Sequence, residues 1–368
     1  MTVTGAPVAP RCESAIDLIG NTPMLRVRTP ISFAHPGFWA KLEGTAPGGM
    51  KARAARSMLA GARSRGELAP GGTVVESTSG TLGIGLACVG SAMGHPVVIV
   101  ADDELDDMTR ALLRAHGVRL ELVREPHPRG GWQRARLDRV RELMRTLPDP
   151  YWPDQYNNPD NVTGYHELGH ELLDQLGDLD AVVCSVGTGG HSAGIAQVLR
   201  THRPEARVVG VDAAGSTVFG DPAAKRLMRG LGSSIHPDNV DYGVFDEVHW
   251  VGAAEAVHGC RTLAADAFVT GGWSTGAVAL VASWCARELD SDRVAAVFPD
   301  GPHRYWHTIY DDDFRAEHGL TGSAVAPQDV DSSDVDGPVG WRRSHRVVDP
   351  CTRRAARSEC PVCGQERS

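Results

Sequence analysis

Apolar runs rich in β-branched residues recur along the chain: TVVEST, PVVIVA, RLELV, DAVVCSV, RVVGVDA and RVAAVFP. Between them lie helix-length patterns: ARAARSMLAGARSRG, GTLGIGLACVGSAMG, DMTRALLRAHG, GGHSAGIAQVLRTHRP and TGAVALVASWCAREL. Continuous apolar runs suit strands buried on both faces. Alternation with helices suits parallel pairing, in which each helix is a crossover. The expected class is α/β with largely parallel sheets. Several glycine-rich turns sit where a strand hands over to a helix, the place where open α/β sheets bind ligands.

The 368 residues allow a large core divided into two lobes. Charged residues make up 23% and the net charge is -9, which argues for solubility and against nucleic acid as the main partner. No stretch is long and apolar enough to cross a bilayer. The start, MTVTGAPVAPRCES, lacks the basic opening and apolar run of a signal peptide, so cytoplasm is the expected compartment. Cys12, Cys88, Cys184, Cys260 and Cys285 lie mostly in apolar runs and are expected to be buried thiols rather than a disulfide framework.

The polar, turn-rich PYWPDQYNNPDN is expected to cross between the lobes. From Thr321 to Asp336 the chain is acidic and short of large apolar residues, the composition of a disordered linker. The last stretch is basic, with Arg342, Arg343, Arg353 and Arg354. Within it His345, Cys351, Cys360 and Cys363 offer four metal ligands, and CPVC has the turn of a zinc knuckle. A structural zinc site and a flexible, thiol-bearing tail both fit that pattern.

Four local motifs carry chemistry. IGNTPMLRV, by itself, is a turn before a short strand. PGGMKARAARSML places Lys51 after two glycines at the start of a helix. A helix N-terminus disfavours a cation, so such a lysine is either a surface residue or a desolvated amine able to form a Schiff base. In VVESTSGTLGIGLA a strand ends in Ser77, Thr78, Ser79 and Gly80 before a helix, a cradle for a carboxylate. In VVCSVGTGGHSAGIA, Gly187, Thr188, Gly189 and Gly190 form a second anion cradle that suits a phosphate. A dinucleotide fingerprint fits less well, because the third glycine position holds Ser192. Two anion sites and one amine ask for a phosphate, an aldehyde and a carboxylate. Pyridoxal phosphate with an amino acid supplies all three.

These residues resemble the cysteine synthase and cystathionine β-synthase family, the tryptophan-synthase-like fold type of pyridoxal phosphate enzymes. The likeness runs from about Ser14 to Phe314. It comprises IGNTPMLRV, PGGMK, ESTSGTLG, GTGGHSAG and FPDGPHRYWHTIYDDD in family order, the last against the family form PDSGxRYxxT. The lysine and GTGG loops are also similar to those of 2,3-diaminopropionate synthases, which use O-phosphoserine. The resemblance implies two α/β lobes, each with a mostly parallel sheet, the cofactor in the cleft between them and a mostly disordered C-terminal tail. The expected divisions are a disordered 1–13, a large cofactor-binding lobe of 14–40 plus 156–318, a small substrate-binding lobe of 41–155, a linker at 319–340 and a basic, cysteine-containing tail at 341–368. A homodimer is implied as well.

By position, the resemblance makes Lys51 the cofactor-bearing and catalytic lysine. Gly187, Thr188, Gly189, Gly190 and His191 would bind the phosphate. Ser77, Thr78, Ser79, Gly80 and Gln155 would receive the substrate carboxylate. Four departures bear on the reaction. The family asparagine that bonds the cofactor's 3′-oxygen is Thr81, and the next family threonine is Leu82. The lysine loop lacks a serine between Gly49 and Met50. The family serine at the pyridine nitrogen falls on Gly301, so that role passes to water, Asp300 or Thr275. The activity implied is β-replacement on a small amino acid, an activated serine plus sulfide giving cysteine. Alternatives are β-elimination as a cysteine desulfhydrase, diamino-acid formation with a nitrogen nucleophile, or a cofactor-binding protein that has lost catalysis. Trp132, Arg134 and Arg136 read as an amphipathic helix, or as a lid for an acidic substrate. Ser233 and Ser234 fall on a segment that resembles the family's active-site mouth, and His236 reads as a loop residue.

Overall fold

Two sheets organise the chain, and the computed structural model describes residues 11–28, 37–128, 131–321, 326–331 and 340–350. The smaller sheet contains β3 (Thr73–Ser77), β4 (Val97–Asp102), β5 (Arg119–Val123) and β6 (Pro150–Tyr151), in the order β5-β4-β3-β6. Every pair in it is parallel, with Val74 opposite Val97 and Ser77 opposite Val100. Its crossovers are the helices α2 (Thr81–Met93), α3 (Asp107–Ala115) and α4 (Gly131–Thr146), and α1 (Lys51–Arg65) packs against α2. Helix α2 is apolar nearly all round because it is enclosed: Leu82, Ile84, Leu86 and Val89 are all buried.

The larger sheet holds β1 (Met24–Val27), β2 (Phe38–Leu42), β7 (Ala181–Ser185), β8 (Arg207–Ala213), β9 (Glu247–Val251) and β10 (Val294–Phe298). Two short strands, β11 (Gln328–Asp329) and β12 (Arg342–Ser344), complete it in the order β1-β2-β10-β7-β8-β9-β12-β11. The neighbouring strands β2, β10, β7, β8 and β9 are parallel, while β1 pairs antiparallel with β2, β12 antiparallel with β9, and β11 parallel with β12. Around it lie α5 (Pro159–Thr163), α6 (His166–Leu176), α7 (Gly190–His202), α8 (Ala253–Ala267), α9 (Trp273–Glu288) and α10 (Asp312–Glu317). The two-lobe α/β class expected from the alternation is the one observed. The lobe boundary shifts slightly: Lys41 and Leu42 still pair with Val297 and Phe298, so the chain leaves the large sheet after Leu42.

The C-terminal region departs from a plain linker and tail. Strand β12 docks on β9, with Arg342 opposite Trp250, and β11 pairs with β12 in turn. Trp341 is buried against His249 and Trp284, and Arg343 binds Glu288 and Asp329. One tryptophan and two arginines hold this strand, so no apolar run advertises it. The stretches 1–10, 322–325, 332–339 and 351–368, all expected to be disordered, lie outside the described residues. Among the described cysteines Cys184, Cys260 and Cys285 are buried thiols, but Cys12 is exposed and Cys88 only half-buried. No helix among the described residues is long and apolar enough to cross a membrane.

Beneath α1 lies a buried ionic cluster. Arg53 donates to Glu43 through Nε at 2.7 Å and to Glu171 through Nη1 at 2.8 Å. Lys41 Nζ donates to Glu171 at 2.6 Å and to the Thr22 carbonyl at 2.7 Å. The Thr22 hydroxyl donates to Glu43 at 2.5 Å, and the Asn21 N–H donates to Glu171 at 2.9 Å. The IGNTP turn, β2, α1 and α6 therefore meet at one set of charges. Burial alone would raise the Glu171 carboxyl, but its bonds to Arg53 and Lys41 hold it at about 2. A depressed carboxyl stabilises the fold above its ordinary range and ceases to do so as pH falls toward 2. Arg53→Met, which leaves two carboxylates with less compensation, is expected to lower stability by about 3–5 kcal/mol in chemical denaturation at neutral pH. The deficit should narrow on acidification below the ordinary glutamate range. A loss under about 1 kcal/mol would show that the cluster is not what holds α1.

Candidate active site

The lysine loop is wedged between two other elements. Gly48 and Gly49 adopt φ of 78° and 60°, where side chains are disfavoured. A Cβ on Gly48 would lie 2.5 Å from the Gly85 nitrogen, and one on Gly49 2.5 Å from the Pro299 carbonyl oxygen. The Met50 N–H donates to that same carbonyl at 2.8 Å. The loop thus presses Lys51, the first residue of α1, against the end of β10. Burial pushes the Lys51 amine down to about 8, with Asp300 pulling partly upward. Near neutrality a useful fraction is neutral, as a Schiff-base lysine requires.

The GTGG loop leaves β7 and opens α7. Gly189 has φ 81°, and a Cβ there would strike Val240 at 2.6 Å. At Gly187 a Cβ would find only the Gly232 carbonyl, 3.7 Å away, so the loop is open on that side. Thr188 is buried, and its hydroxyl accepts from Asn161 at 3.4 Å. His191 is buried, and burial with the nearby Lys51 charge pushes it down to about 3, so its ring is neutral. Its Nε2 has no hydrogen-bond partner among the described residues. A helix start beside a lysine whose amine is lowered to about 8 and a neutral histidine suits an anion.

The substrate loop follows β3. The Thr78 N–H donates to Val100, and the Gly80 N–H donates to the Thr78 hydroxyl at 3.1 Å. Gly80 caps α2, and Thr81 is its first residue. Leu82, where the family has a threonine, is in the core. Gln155 is less free than expected, because its side-chain nitrogen donates to the Ser77 carbonyl at 3.1 Å. A carboxamide keeps one further N–H for a ligand. Sequence reasoning overlooked the residue behind this loop. Glu76 is buried and accepts from the N–H of Ser77 at 2.7 Å, Trp152 Nε1 at 3.2 Å and the N–H of Gln155 at 3.2 Å. Arg304 Nη2 also grips the loop, donating to the Ser79 carbonyl at 2.9 Å.

Gly301 offers no side chain toward a ring nitrogen, and its neighbour is occupied. Asp300 accepts from the Tyr305 hydroxyl at 2.6 Å and from the Gly272 N–H at 3.3 Å. Burial raises its carboxyl despite the Tyr305 bond. Gly272 caps α9, and the first turn of α9 carries Ser274 and Thr275, both buried with unpartnered hydroxyls. Thr275 was anticipated for the ring nitrogen, whereas Ser274 was missed; its only signal was a hydroxyl pair after glycines at a helix start.

Other expected residues fall further out. Arg134 pairs with Asp138 at 3.1 Å, and Arg136 pairs with the buried Asp102 at the end of β4. Both lie on α4, as the amphipathic-helix reading has it. Ser233 and Ser234 lie on an irregular segment beside the GTGG loop, since the Gly232 N–H donates to Val186 at 2.8 Å. In the tail, His345 Nδ1 lies 3.3 Å from Glu247, while Cys351, Cys360 and Cys363 lie outside the described residues. Glu247, His249 and Cys285 do hold ligand atoms within 4.8 Å of one another. However, Trp341 Nε1 donates to His249 Nδ1 at 2.9 Å. That puts the ring proton on Nε2, facing Glu247, and makes the group a hydrogen-bonded cluster.

Residues 15–300 match the family model described as pyridoxal-phosphate dependent enzyme. The chain belongs to that family and is an enzyme of its transferase or lyase type. It is 35% identical over 308 residues to an N-(2-amino-2-carboxyethyl)-L-glutamate synthase from Cupriavidus metallidurans, covering 82% of this chain and 90% of the relative. Among solved structures it is similar to an O-acetylserine-dependent cystathionine β-synthase from Helicobacter pylori, with TM-score 0.76 and 28% identity over 82% of this chain and 100% of that one. A hydrogen sulfide-producing enzyme from Fusobacterium nucleatum gives TM-score 0.74 and 27% identity over 80% and 98%. The residues present fit the cofactor: a buried lysine lowered to about 8, a helix start left open at Gly187, and buried polar atoms at His191, Ser274 and Thr275 that have no partner among the described residues. Because the Lys51 amine titrates near 8, uptake of pyridoxal phosphate by the stripped protein should quicken roughly tenfold per pH unit below that value and level off above it. A rate flat from pH 6 to 9, followed by the growth of visible absorbance, would contradict a titrating Lys51.

Proposed function

We propose that this enzyme performs β-replacement on a hydroxyl-activated serine, with the amine of an acidic amino acid as nucleophile, giving a nitrogen-linked diamino acid. The observation that carries this reading is the 35% identity, over nine-tenths of its length, to a relative named N-(2-amino-2-carboxyethyl)-L-glutamate synthase. The cleft's charge supports it. Tyr156, on the crossing between lobes, is raised by burial and stands among Arg136 and Arg226 on the positive side and Glu76 and Asp154 on the negative. Arg304 stands beside the substrate loop. Such a setting favours a second substrate with extra carboxylates. It also gives Arg136 the acid-recognising part considered from sequence, alongside its pairing with Asp102.

In this reading the substrate carboxylate takes the Ser79 N–H and the hydroxyls of Ser77, Thr78 and Ser79, with Gly80 leaving room for its approach and Gln155 adding one N–H. The cofactor supplies an electron sink for the charge that develops at Cα. Lys51 would take the Cα proton at Nζ, a task suited to an amine poised near 8. His191 stays neutral and donates toward the phosphate through its free ring nitrogen. Thr81 would offer its hydroxyl to the cofactor's 3′-oxygen, and the Ser274 or Thr275 hydroxyl would serve the ring nitrogen that Gly301 cannot reach.

A second reading is sulfur chemistry, favoured by solved relatives named as hydrogen sulfide-producing and O-acetylserine dependent. Mass spectrometry of products separates them. Loaded enzyme given O-phosphoserine or O-acetylserine with glutamate is expected to yield the C–N-linked product in preference to cysteine when sulfide competes. Cysteine, or pyruvate with ammonia, as the sole product would overturn the nitrogen reading.

A further inference from the structure

The C-terminal strand reaches the cleft through side chains. Arg342 on β12 is buried and donates through Nη2 to Asp221 Oδ2 at 2.7 Å, with its guanidinium 5.2 Å from the centre of the Trp250 ring. The same carboxylate oxygen accepts the Gly215 N–H at 3.0 Å. Gly215 opens a turn whose carbonyl accepts from Arg226 at 2.6 Å, and Arg226 also donates to the Ser234 hydroxyl at 3.0 Å. In that turn Ser216 Oγ accepts the Ser233 N–H at 3.0 Å, and the Thr217 N–H donates to the Ser233 carbonyl at 2.9 Å.

The segment from Gly230 to Ser234 is therefore hung from the turn at 215–217. It lies at the cleft. The Gly232 N–H donates to Val186 at the root of the GTGG loop. A Cβ on Gly230 would sit 3.6 Å from the Tyr305 hydroxyl, which binds Asp300. Just before it, Arg229 crosses to the small lobe and donates to the Glu104 carbonyl at 2.8 Å. The segment is thus a strap that spans both lobes beside the cofactor loops.

We propose that Arg342 is a positioning residue: through Asp221 and the 215–217 turn it sets the strap Gly230–Ser234, so the C-terminal strand is a working part of the cleft. The family match ends at residue 300, and the two solved relatives are matched over 98% and 100% of their lengths. Strand β12 lies beyond the residues that the family model matches. Removing one partner of a buried ion pair leaves the other charge uncompensated, and the turn it holds loosens first.

The test is hydrogen exchange on the full chain carrying Arg342→Ala, Arg342→Lys or Asp221→Asn. In Arg342→Ala the amides of 215–217 and 230–234 should exchange at least about tenfold faster, while those of β3 and β4 keep their protection. Asp221→Asn should loosen the same peptides, and Arg342→Lys should restore much of the protection. In the loaded enzyme the visible cofactor band should persist, while the amino acid concentration that half-shifts it rises several-fold. Unchanged exchange at both peptides, or a uniform loss across the chain, overturns the proposal. If Arg342→Ala does not fold, Arg342→Lys and Asp221→Asn decide by the same peptides. The exchange readout needs no cofactor, so a failure of the pyridoxal phosphate reading would appear separately, as a wild-type chain without the band.

Discussion

Arg53 is the residue on which the site's geometry turns. Its guanidinium closes on Glu43 from β2's end and on Glu171 from α6, with Lys41 and the Thr22 backbone sharing the same carboxylates. It lies two residues beyond Lys51, on the first turn of α1. A buried charge cluster is a weak source of net stability, but it is demanding about geometry, because each charge needs its partner in place. Here that demand fixes the rotation and depth of α1, and with them the position of the Lys51 amine. It also explains why the IGNTP turn, distant in sequence, belongs to the same constellation: Asn21 and Thr22 supply it with hydrogen bonds.

Around that anchored lysine the chain gathers helix starts. Helices α1, α2, α7 and α9 each begin at the cleft, preceded by glycine or by a glycine loop. Their free N–H groups make the region favourable to anions and unfavourable to cations. The lowered Lys51 and the neutral His191 are in keeping with such a setting, with burial as the larger cause. Asp300 is the one carboxyl at the centre. Tyr305 and the Gly272 N–H hold it, which keeps it as part of the frame that positions the start of α9.

Much of this was legible in the amino-acid sequence. The β-branched runs announced the strands because parallel strands are covered on both faces, and the glycine loops announced themselves because only glycine tolerates their backbone and their close approaches. Lys51, the Ser77–Gly80 loop and the GTGG loop were readable for that reason. Glu76, Asn161 and Ser274 were not. Each acts through a partner remote in sequence, and a lone buried carboxyl or hydroxyl carries no pattern. Strand β12 was hidden because two arginines and a tryptophan on a sheet edge look like a basic tail until Asp221, Glu288 and Asp329 are placed beside them. Of the four expected zinc ligands, His345 pairs with Glu247, and Cys351, Cys360 and Cys363 lie outside the described residues.

The account stands or falls on which side chain carries the cofactor. Wild-type protein loaded with pyridoxal phosphate, reduced with borohydride, digested and mapped by mass spectrometry should show a pyridoxyl mass addition on Lys51 and on neither Lys41 nor Lys225. An adduct confined to another lysine, or none at all after loading, would contradict the assignment and leave only the scaffold explained.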